Sequence, residues 1–339
     1  MKILVVFTGG TIGSSVNGDG YFSPDRKKSY RLLELYKKYC SSTNNKLPKW
    51  DGEELSFDTV EPYTILSENL DMIYAQKLVH CISQNLKKDY DGIIVTHGSD
   101  TLQYTAAILG YAFGNDTIPI MLVASNYILD DMRANGVDNF AGAVEFIRQH
   151  AGRGVFVSYR NTGEHTHFHR ATRLIAHAPY SDYLSSVDNI YYGSFCYGRI
   201  DQNQLYKERE DECQCLCTEW NNLRASIAWL NVHPAMAFPK LENGLKAILV
   251  SSYHSGTMNT ASARWNAYFR TAAEKGIPVF LTGASEGMSY ESTRAYEENG
   301  IQVLPKMSPI AAYIKLLLGT ITEMDYKEYM SKSLGGDLL

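Results

Sequence analysis

The alternation of short β-branched runs with longer segments of helical periodicity constrains the fold of this chain most strongly. Each run is too short for a buried helix and is followed by apolar residues at helical spacing. Strands that alternate with helices in this way predict a mostly parallel, doubly wound α/β sheet. The strands are expected at 3–7, 92–96, 118–123 and 154–159, and the helices at 71–86, 101–113 and 137–150.

This rhythm breaks between about 188 and 220, where Tyr, Asn, Gln and charged residues dominate, and it resumes afterwards. A chain of 339 residues is also long for a single core. We therefore expect a larger N-terminal α/β domain over 1–187, a linker with a hairpin over 188–220, and a smaller parallel α/β domain over 221–339. In such open sheets, ligands bind beyond the carboxyl ends of the strands.

Composition and charge exclude several function classes. The net charge is −5 and no Lys/Arg cluster stands out, so we expect no nucleic-acid partner. The longest apolar run, around 118–124, is far too short to span a bilayer. The apolar start at 3–7 is shorter than the core of a signal peptide, which predicts a cytoplasmic protein without a membrane partner.

The first strand leads directly into the glycine-rich segment Thr8-Gly9-Gly10-Thr11-Ile12-Gly13. Adjacent glycines allow a sharp turn and a close approach of the backbone to a ligand, and their N–H groups can hold an anion. A dinucleotide loop lacks its final glycine and its helix here, and a P-loop lacks its Gly-Lys-Ser/Thr. A loop that carries a hydroxyl nucleophile remains.

A second polar cluster, His97-Gly98-Ser99-Asp100-Thr101, follows the strand at 92–96. Ser99 or Asp100 could simply cap the following helix, but a cap explains only one polar residue. Together the two motifs resemble the bacterial-type L-asparaginase and glutaminase family, closest to its cytoplasmic type I branch. That family carries Thr-Gly-Gly-Thr-Ile and His-Gly-Thr-Asp-Thr, with Ser99 standing here where the family has Thr.

The resemblance implies a role for residues in both motifs and between them. Thr11 matches the family nucleophile, and Tyr21 matches the tyrosine of a mobile lid, although Tyr21 could also be one surface aromatic among 24 tyrosines. Ser67 matches the serine that binds the α-carboxylate of the substrate, and a helix cap explains it equally well. Glu68 and Asp100 could both face the substrate ammonium.

The same resemblance assigns the rest of the site and the assembly. Ser99 would position a water, and Gly10, Gly98 and Ser99 would line the substrate. The family implies a small amide substrate such as asparagine, no metal or organic cofactor, and a homotetramer, or at least a homodimer. The reaction would be attack by Thr11 on the amide carbonyl, loss of ammonia, and hydrolysis of the acyl-enzyme.

One position departs from the family pattern. Arg173 stands where the family has a lysine thought to transfer protons, and an arginine cannot act as a general base. We expect Arg173 to lie buried within reach of Ser99 or Asp100, with Tyr21, water or a histidine replacing the lysine. The departure leaves two rivals open: an amidase for another small amide, and a slow or non-catalytic amino-acid-binding homologue.

Two further clusters could hold a metal but have plainer explanations. His165, His167 and His169 alternate, and so do Cys213, Cys215 and Cys217. Alternation places each trio on one strand face, whereas zinc sites favour a Cys-x-x-Cys spacing and a fourth ligand. We expect solvated hairpin residues in both cases and no metal.

Overall fold

In the computed structural model, two compact units form, Met1–Lys207 and Glu208–Leu339. The structure describes residues 1–16, 18–42, 54–212, 220, 226–284, 290–322 and 325–339. Cys213, Cys215 and Cys217 lie outside the described residues. Among the described residues, no helix is long and apolar enough to cross a membrane.

Over its described residues, 1–16, 18–42 and 54–207, the first unit has ten strands and four α-helices. The strands are β1 (Lys2–Phe7), β2 (Ser14–Val16), β3 (Phe22–Pro24), β4 (Ser56–Val60), β5 (Gly92–Thr96), β6 (Pro119–Val123), β7 (Gly154–Arg160), β8 (Thr166–Arg170), β9 (Gly193–Cys196) and β10 (Arg199–Gln202). The helices are α1 (Arg26–Ser42), α2 (Met72–Asn85), α3 (Leu102–Phe113) and α4 (Gly136–Arg148).

Eight of these strands form one sheet in the order β10-β9-β8-β7-β6-β5-β1-β4. Strands β4, β1, β5, β6 and β7 are mutually parallel, and β8, β9 and β10 continue the sheet in antiparallel pairs. The predicted mostly parallel α/β fold is therefore confirmed. Because β5 and β6 are buried at every residue, both faces of the sheet are covered.

The two faces of the sheet are covered by different helices. On one face, Phe7 and Ile94 join a core with Tyr36 of α1 and Phe140 of α4. Successive strand residues point to opposite faces, so Thr8 and His97 belong to the other face, where His97 contacts α3. The polar residues that follow β1 and β5 therefore meet at the carboxyl end of the sheet.

The second unit is a smaller parallel sheet of β11 (Ser226–Asn231), β12 (Leu245–Ser251), β13 (Val279–Thr282) and β14 (Ile301–Val303), in that order. Its helices are α5 (Ala263–Glu274), α6 (Glu291–Glu298), α7 (Pro309–Ile321) and α8 (Tyr326–Tyr329). The pairings are all parallel, as expected for 221–339. A fully buried ion pair, Lys315 Nζ to Asp337 Oδ2 at 2.8 Å, attaches the C-terminal segment to α7.

The hairpin expected within 188–220 is the pair β9–β10, but it is not a linker. Gly193, Ser194 and Phe195 of β9 pair with β8, so the hairpin belongs to the first sheet. The first compact unit accordingly extends to Lys207, beyond the expected boundary at 187.

Candidate active site

Three chain segments meet at the carboxyl ends of β1 and β5. Gly9 and Gly10 have φ of 101° and 74°, in the region that favours glycine, and they turn the chain after β1. The Gly10 amide donates to the Ile65 carbonyl at 2.9 Å, and the Ile65 amide donates to the Thr8 carbonyl at 3.1 Å. The Gly10 N–H is therefore engaged in holding the 65–67 segment, and it is not an available donor for an anion.

The glycines of the two motifs touch each other. A Cβ added at Gly10 would lie 2.3 Å from the Gly98 nitrogen, and one added at Gly98 would lie 2.4 Å from Ser67 Oγ. Distances this short cannot be tolerated, so a side chain at either position would force the segments apart. The backbones of the Thr11 loop and the Ser99 loop are thus packed directly together, with Ser67 against Gly98.

Ser67 and Asp100 form the polar centre of this junction. Ser67 is 5% exposed and its hydroxyl donates to Asp100 Oδ2 at 3.1 Å, while Asp100 itself is exposed. The Thr101 hydroxyl donates to the Ser67 carbonyl at 2.9 Å, and Gln103 Nε2 donates to the Asp100 carbonyl at 3.0 Å. Side chains 33 residues apart in sequence are thereby brought into direct contact. Glu68, beside Ser67, is exposed.

The two threonines of the first motif differ in their surroundings. Thr8 is 2% exposed and its hydroxyl donates to the Thr96 carbonyl at 2.6 Å, so it joins β1 to β5. Thr11 begins a short 3-10 turn, Thr11–Gly13, and is half-buried. In the part of the chain that the structure describes, no side chain is hydrogen-bonded to the Thr11 hydroxyl. Of the two, Thr11 is the hydroxyl available to a ligand.

The segment expected to form a lid contains a small antiparallel hairpin, in which Ser14 of β2 pairs with Pro24 of β3. Tyr21 directly precedes β3 and is 73% exposed. The Asp25 amide donates to the Gly13 carbonyl at 2.9 Å, which closes the base of the hairpin beside the Thr11 turn. Tyr21 therefore lies in an exposed hairpin whose two ends are both next to the Thr11 turn.

His97 is fully buried beneath the motif. Because the Gly98 carbonyl can only accept, His97 Nδ1 donates to it at 2.8 Å, and Nε2 accepts from the Thr105 hydroxyl at 2.9 Å. Burial lowers the pKa of His97 to about 4, and the hydrogen bond to Gly98 and the negative charge of Asp100 only partly oppose this shift. His97 is neutral near pH 7, and both ring nitrogens are occupied by hydrogen bonds within the fold.

Arg173 does not join this cluster, which corrects the expectation that it lies within reach of Ser99 or Asp100. Strand β8 runs antiparallel to β7 and pairs Arg170 with Phe156, so the chain reaches Arg173 at the amino ends of the parallel strands. Asp100 follows the carboxyl end of β5, and three strand spacings of about 4.8 Å separate β8 from β5. Arg173 and Asp100 are therefore separated along the strands, from the amino ends to the carboxyl ends, and also across the sheet from β8 to β5. An arginine side chain is too short to span both separations.

The surroundings of Arg173 agree with this placement. It is 2% exposed, and its guanidinium carbon lies 4.7 Å from the centre of the Tyr206 ring. The neighbouring Thr172 faces Gly110, near the C-terminal end of α3, whereas Asp100 precedes the start of that helix. Arg173 thus supports the packing of the amino edge of the sheet.

The histidine cluster also differs from a metal site. Among the described residues, no group of three His, Cys, Asp or Glu side chains could hold a metal ion. His167 stacks on Tyr191 at 3.9 Å between ring centres, and His169 Nδ1 is 2.8 Å from the Ser186 hydroxyl. His165 contacts Cys196 instead, with Nε2 3.3 Å from Sγ.

Comparison with known proteins decides the family. The model of the asparaginase N-terminal domain matches residues 2–203, which cover the Thr11, Ser67 and Ser99 loops. The chain belongs to the asparaginase family. The family match supports amide hydrolysis as the class of chemistry of this protein, and the predicted resemblance is confirmed.

Solved structures of similar fold include two asparaginases. The thermostable L-asparaginase from Thermococcus kodakarensis superposes on this chain with a TM-score of 0.77 and 19% sequence identity. The superposition covers 100% of this chain and 99% of the other. L-asparaginase I from Vibrio cholerae has a TM-score of 0.76 and 21% identity, with the same coverage. Both asparaginases therefore share the α/β fold of this chain over its whole length.

Curated sequence relatives carry another name, because they are subunits of a glutamyl-tRNA(Gln) amidotransferase. The relative from Sulfolobus acidocaldarius is 23% identical over 354 residues, which cover 99% of this chain and 75% of the relative. The relative from Thermococcus kodakarensis is 24% identical over 93% of this chain and 70% of the relative. The names of the relatives therefore leave the amide substrate open.

Proposed function

We propose that this protein hydrolyses L-asparagine to L-aspartate and ammonia through an acyl-enzyme on Thr11. The observation that carries the proposal is the junction of three loops at one end of the sheet, where the Thr11 turn, Ser67 and Asp100 adjoin. This junction supplies a nucleophile and a polar anchor within one small region.

The anchor suits the α-carbon of an amino acid. Ser67 Oγ and Asp100 Oδ2 are 3.1 Å apart, so a hydroxyl donor and a carboxylate are presented side by side. The α-carboxylate and α-ammonium of asparagine are also adjacent, and they require a donor and an anion respectively. In this assignment the Ser67 hydroxyl, which donates to Asp100 Oδ2 without substrate, turns to donate to the substrate α-carboxylate. Asp100 then accepts from the ammonium, and the exposed Glu68 adds a second negative charge. Ser99 positions the water, and Gly10 and Gly98 form the closely packed floor.

The reaction then needs a group that removes the proton of the Thr11 hydroxyl. The oxygen attacks the amide carbonyl, the C–N bond breaks, the proton leaves with ammonia, and water cleaves the ester. His97 is not available as this base, because it is buried and both its ring nitrogens are hydrogen-bonded within the fold. Arg173 is not available either, because it lies at the opposite edge of the sheet. Tyr21 or a water held beneath it remains, and closure of the exposed hairpin would bring Tyr21 over the substrate.

The proposal extends to the setting of the enzyme. The resemblance to the asparaginase family implies no metal or organic cofactor, and we propose the same for this enzyme. We further propose a cytoplasmic homotetramer, or dimer of dimers. Light scattering of the purified chain at micromolar concentration tests the assembly, and a monomer would contradict it.

Glutamine is the second candidate, because the sequence relatives are named as parts of a glutamyl-tRNA(Gln) amidotransferase. Those relatives are longer than this chain, which matches 70–75% of their length. As part of an amidotransferase, the chain would release ammonia for a partner rather than as an end product.

Ammonia release from L-Asn, L-Gln and D-Asn separates these functions. We expect the highest kcat/KM with L-Asn, and a clear preference for L-Gln would favour the amidotransferase role. Release from none of the three, together with tight binding of aspartate in calorimetry, would identify an amino-acid-binding homologue. Release from another small amide alone would identify an amidase of different specificity.

A further inference from the structure

The tip of the β9–β10 hairpin presents a cysteine beside a histidine. Cys196 is the last residue of β9 and pairs across the hairpin with Arg199, the first residue of β10. The turn between them consists of Tyr197 and Gly198, both in left-handed conformations with φ of 48° and 83°. Such a two-residue turn fixes the register of the hairpin, so the position of Cys196 is set by the fold.

His165 approaches this thiol from the β7–β8 connection. Its Nε2 lies 3.3 Å from Cys196 Sγ, within hydrogen-bonding distance for sulfur. The Tyr197 ring, which is 90% exposed, lies edge-on to the imidazole at 5.9 Å between ring centres. His165 is exposed and Cys196 is half-buried, so solvent and a small reagent can reach the pair. An imidazole next to a thiol is the arrangement that generates a thiolate.

The other described cysteines lack such surroundings. Burial raises the pKa of both the Cys40 and the Cys81 thiol. Cys40 lies on α1, packed against the core of the first sheet, and Cys81 lies on α2. Of the three described cysteines, only Cys196 has a histidine in contact with its sulfur. A neighbouring base is a feature that controls the reactivity of a thiol.

We propose that the Cys196–His165 pair is a site of reversible thiol modification by low-molecular-weight disulfides such as oxidised glutathione. His165 accepts the thiol proton, and the thiolate sulfur attacks one sulfur of the disulfide. The disulfide S–S bond breaks, a mixed disulfide forms on Cys196, and the second half of the reagent leaves as a thiolate that takes up the proton. A free thiol reverses the reaction by the same exchange.

The site is separate from the proposed catalytic residues. Three strands lie between β9 and β5, which corresponds to about 19 Å across the sheet at a spacing of about 4.8 Å. Modification of Cys196 should therefore leave the Thr11 loop in place. Ammonia release and disulfide exchange can be measured independently, so failure of one proposal is distinguishable from failure of the other.

Peptide mass spectrometry after a timed reaction with oxidised glutathione at pH 7 tests the proposal. The reduced full-length chain is quenched with an alkylating reagent, and the mixed disulfide is quantified at each cysteine. Cys196 should be modified faster than Cys40 and Cys81. His165→Asn should slow the reaction of Cys196 about threefold or more, because the variant removes the imidazole nitrogen that lies 3.3 Å from the sulfur and accepts the thiol proton.

A matched control separates this effect from a general one. His233→Asn removes another exposed histidine, which contacts the Pro234 carbonyl, and should leave the rate at Cys196 unchanged. Cys196→Ser should abolish the fast modification while ammonia release persists. Equal rates at Cys196, Cys40 and Cys81, or an unchanged Cys196 rate in the folded His165→Asn variant, would overturn the proposal.

Discussion

The close packing of the two motifs makes Gly98→Ala the most informative change in the site. A Cβ at this position would lie 2.4 Å from Ser67 Oγ, 2.5 Å from Ser67 Cβ and 3.1 Å from Gly10 Cα. Its φ is outside the left-handed region, so the cost is steric rather than conformational. The serine must move, and Gly10 must give way by a few tenths of an ångström.

Forced expansion of a packed junction typically costs about 1–3 kcal/mol. For a unit of this size, such a loss lowers the melting temperature by about 3–10 °C. Displacement of Ser67 also disturbs its contact with Asp100, and a shift of about 1 Å in a positioning group can lower activity by about 100-fold. Calorimetry and ammonia release from L-asparagine measure the two effects separately.

Two further variants sharpen this test. Gly18→Ala adds a methyl group where no atom lies within 4 Å, and it should leave the melting temperature unchanged. Ser67→Gly combined with Gly98→Ala removes the clashing side chain, and it should restore part of the stability but not the activity. A Gly98→Ala variant with wild-type melting temperature and activity would refute the inferred packing of the motifs.

Three other predictions concern groups outside the junction. Arg173→Met should lower the melting temperature through lost stacking on Tyr206 while the folded protein keeps its kcat/KM, and a selective loss of kcat would return Arg173 to the site. Burial lowers the pKa of His169 to about 3. Below about pH 6.5 this histidine is protonated in the unfolded chain, whereas in the folded chain it stays neutral down to about pH 3. Stability should fall as pH drops from about 6.5 to 4, and His169→Asn should reduce that slope in calorimetry. Lys315→Met leaves the buried Asp337 carboxylate without its cation and should cost about 3–5 kcal/mol in denaturant unfolding, and an unchanged midpoint would contradict the pairing.

The sequence predicted β1, β5, β6 and β7 because their apolar runs are continuous, and it missed the parallel strand β4, whose sequence Ser-Phe-Asp-Thr-Val has no such run. The predicted strand at 92–96 coincides with β5. Helix α1 was not predicted, because its sequence is rich in Lys and Arg. Its buried Leu32, Leu33 and Tyr36 do follow helical spacing, and this signal could have revealed it.

The sequence predicted which motifs share an edge of the sheet where each motif follows a parallel strand, and it misplaced Arg173, where the fold reverses direction. Thr11 and Asp100 follow parallel strands, so the topology brings them to one edge. Arg173 comes after the antiparallel return of β8, and its place in sequence gave no sign that it reaches the opposite edge. The contact of Ser67 with Asp100 depends on long-range packing that the sequence pattern does not specify.

Trapping the acyl-enzyme tests the central claim most directly. The chain is mixed with L-asparagine, quenched in acid within the first turnovers, and digested for peptide mass spectrometry. We predict an aspartyl ester on Thr11, and no ester and no ammonia release in a Thr11→Ala variant that melts at the wild-type temperature. An ester on another residue such as Thr8, or normal ammonia release by Thr11→Ala, would contradict the account.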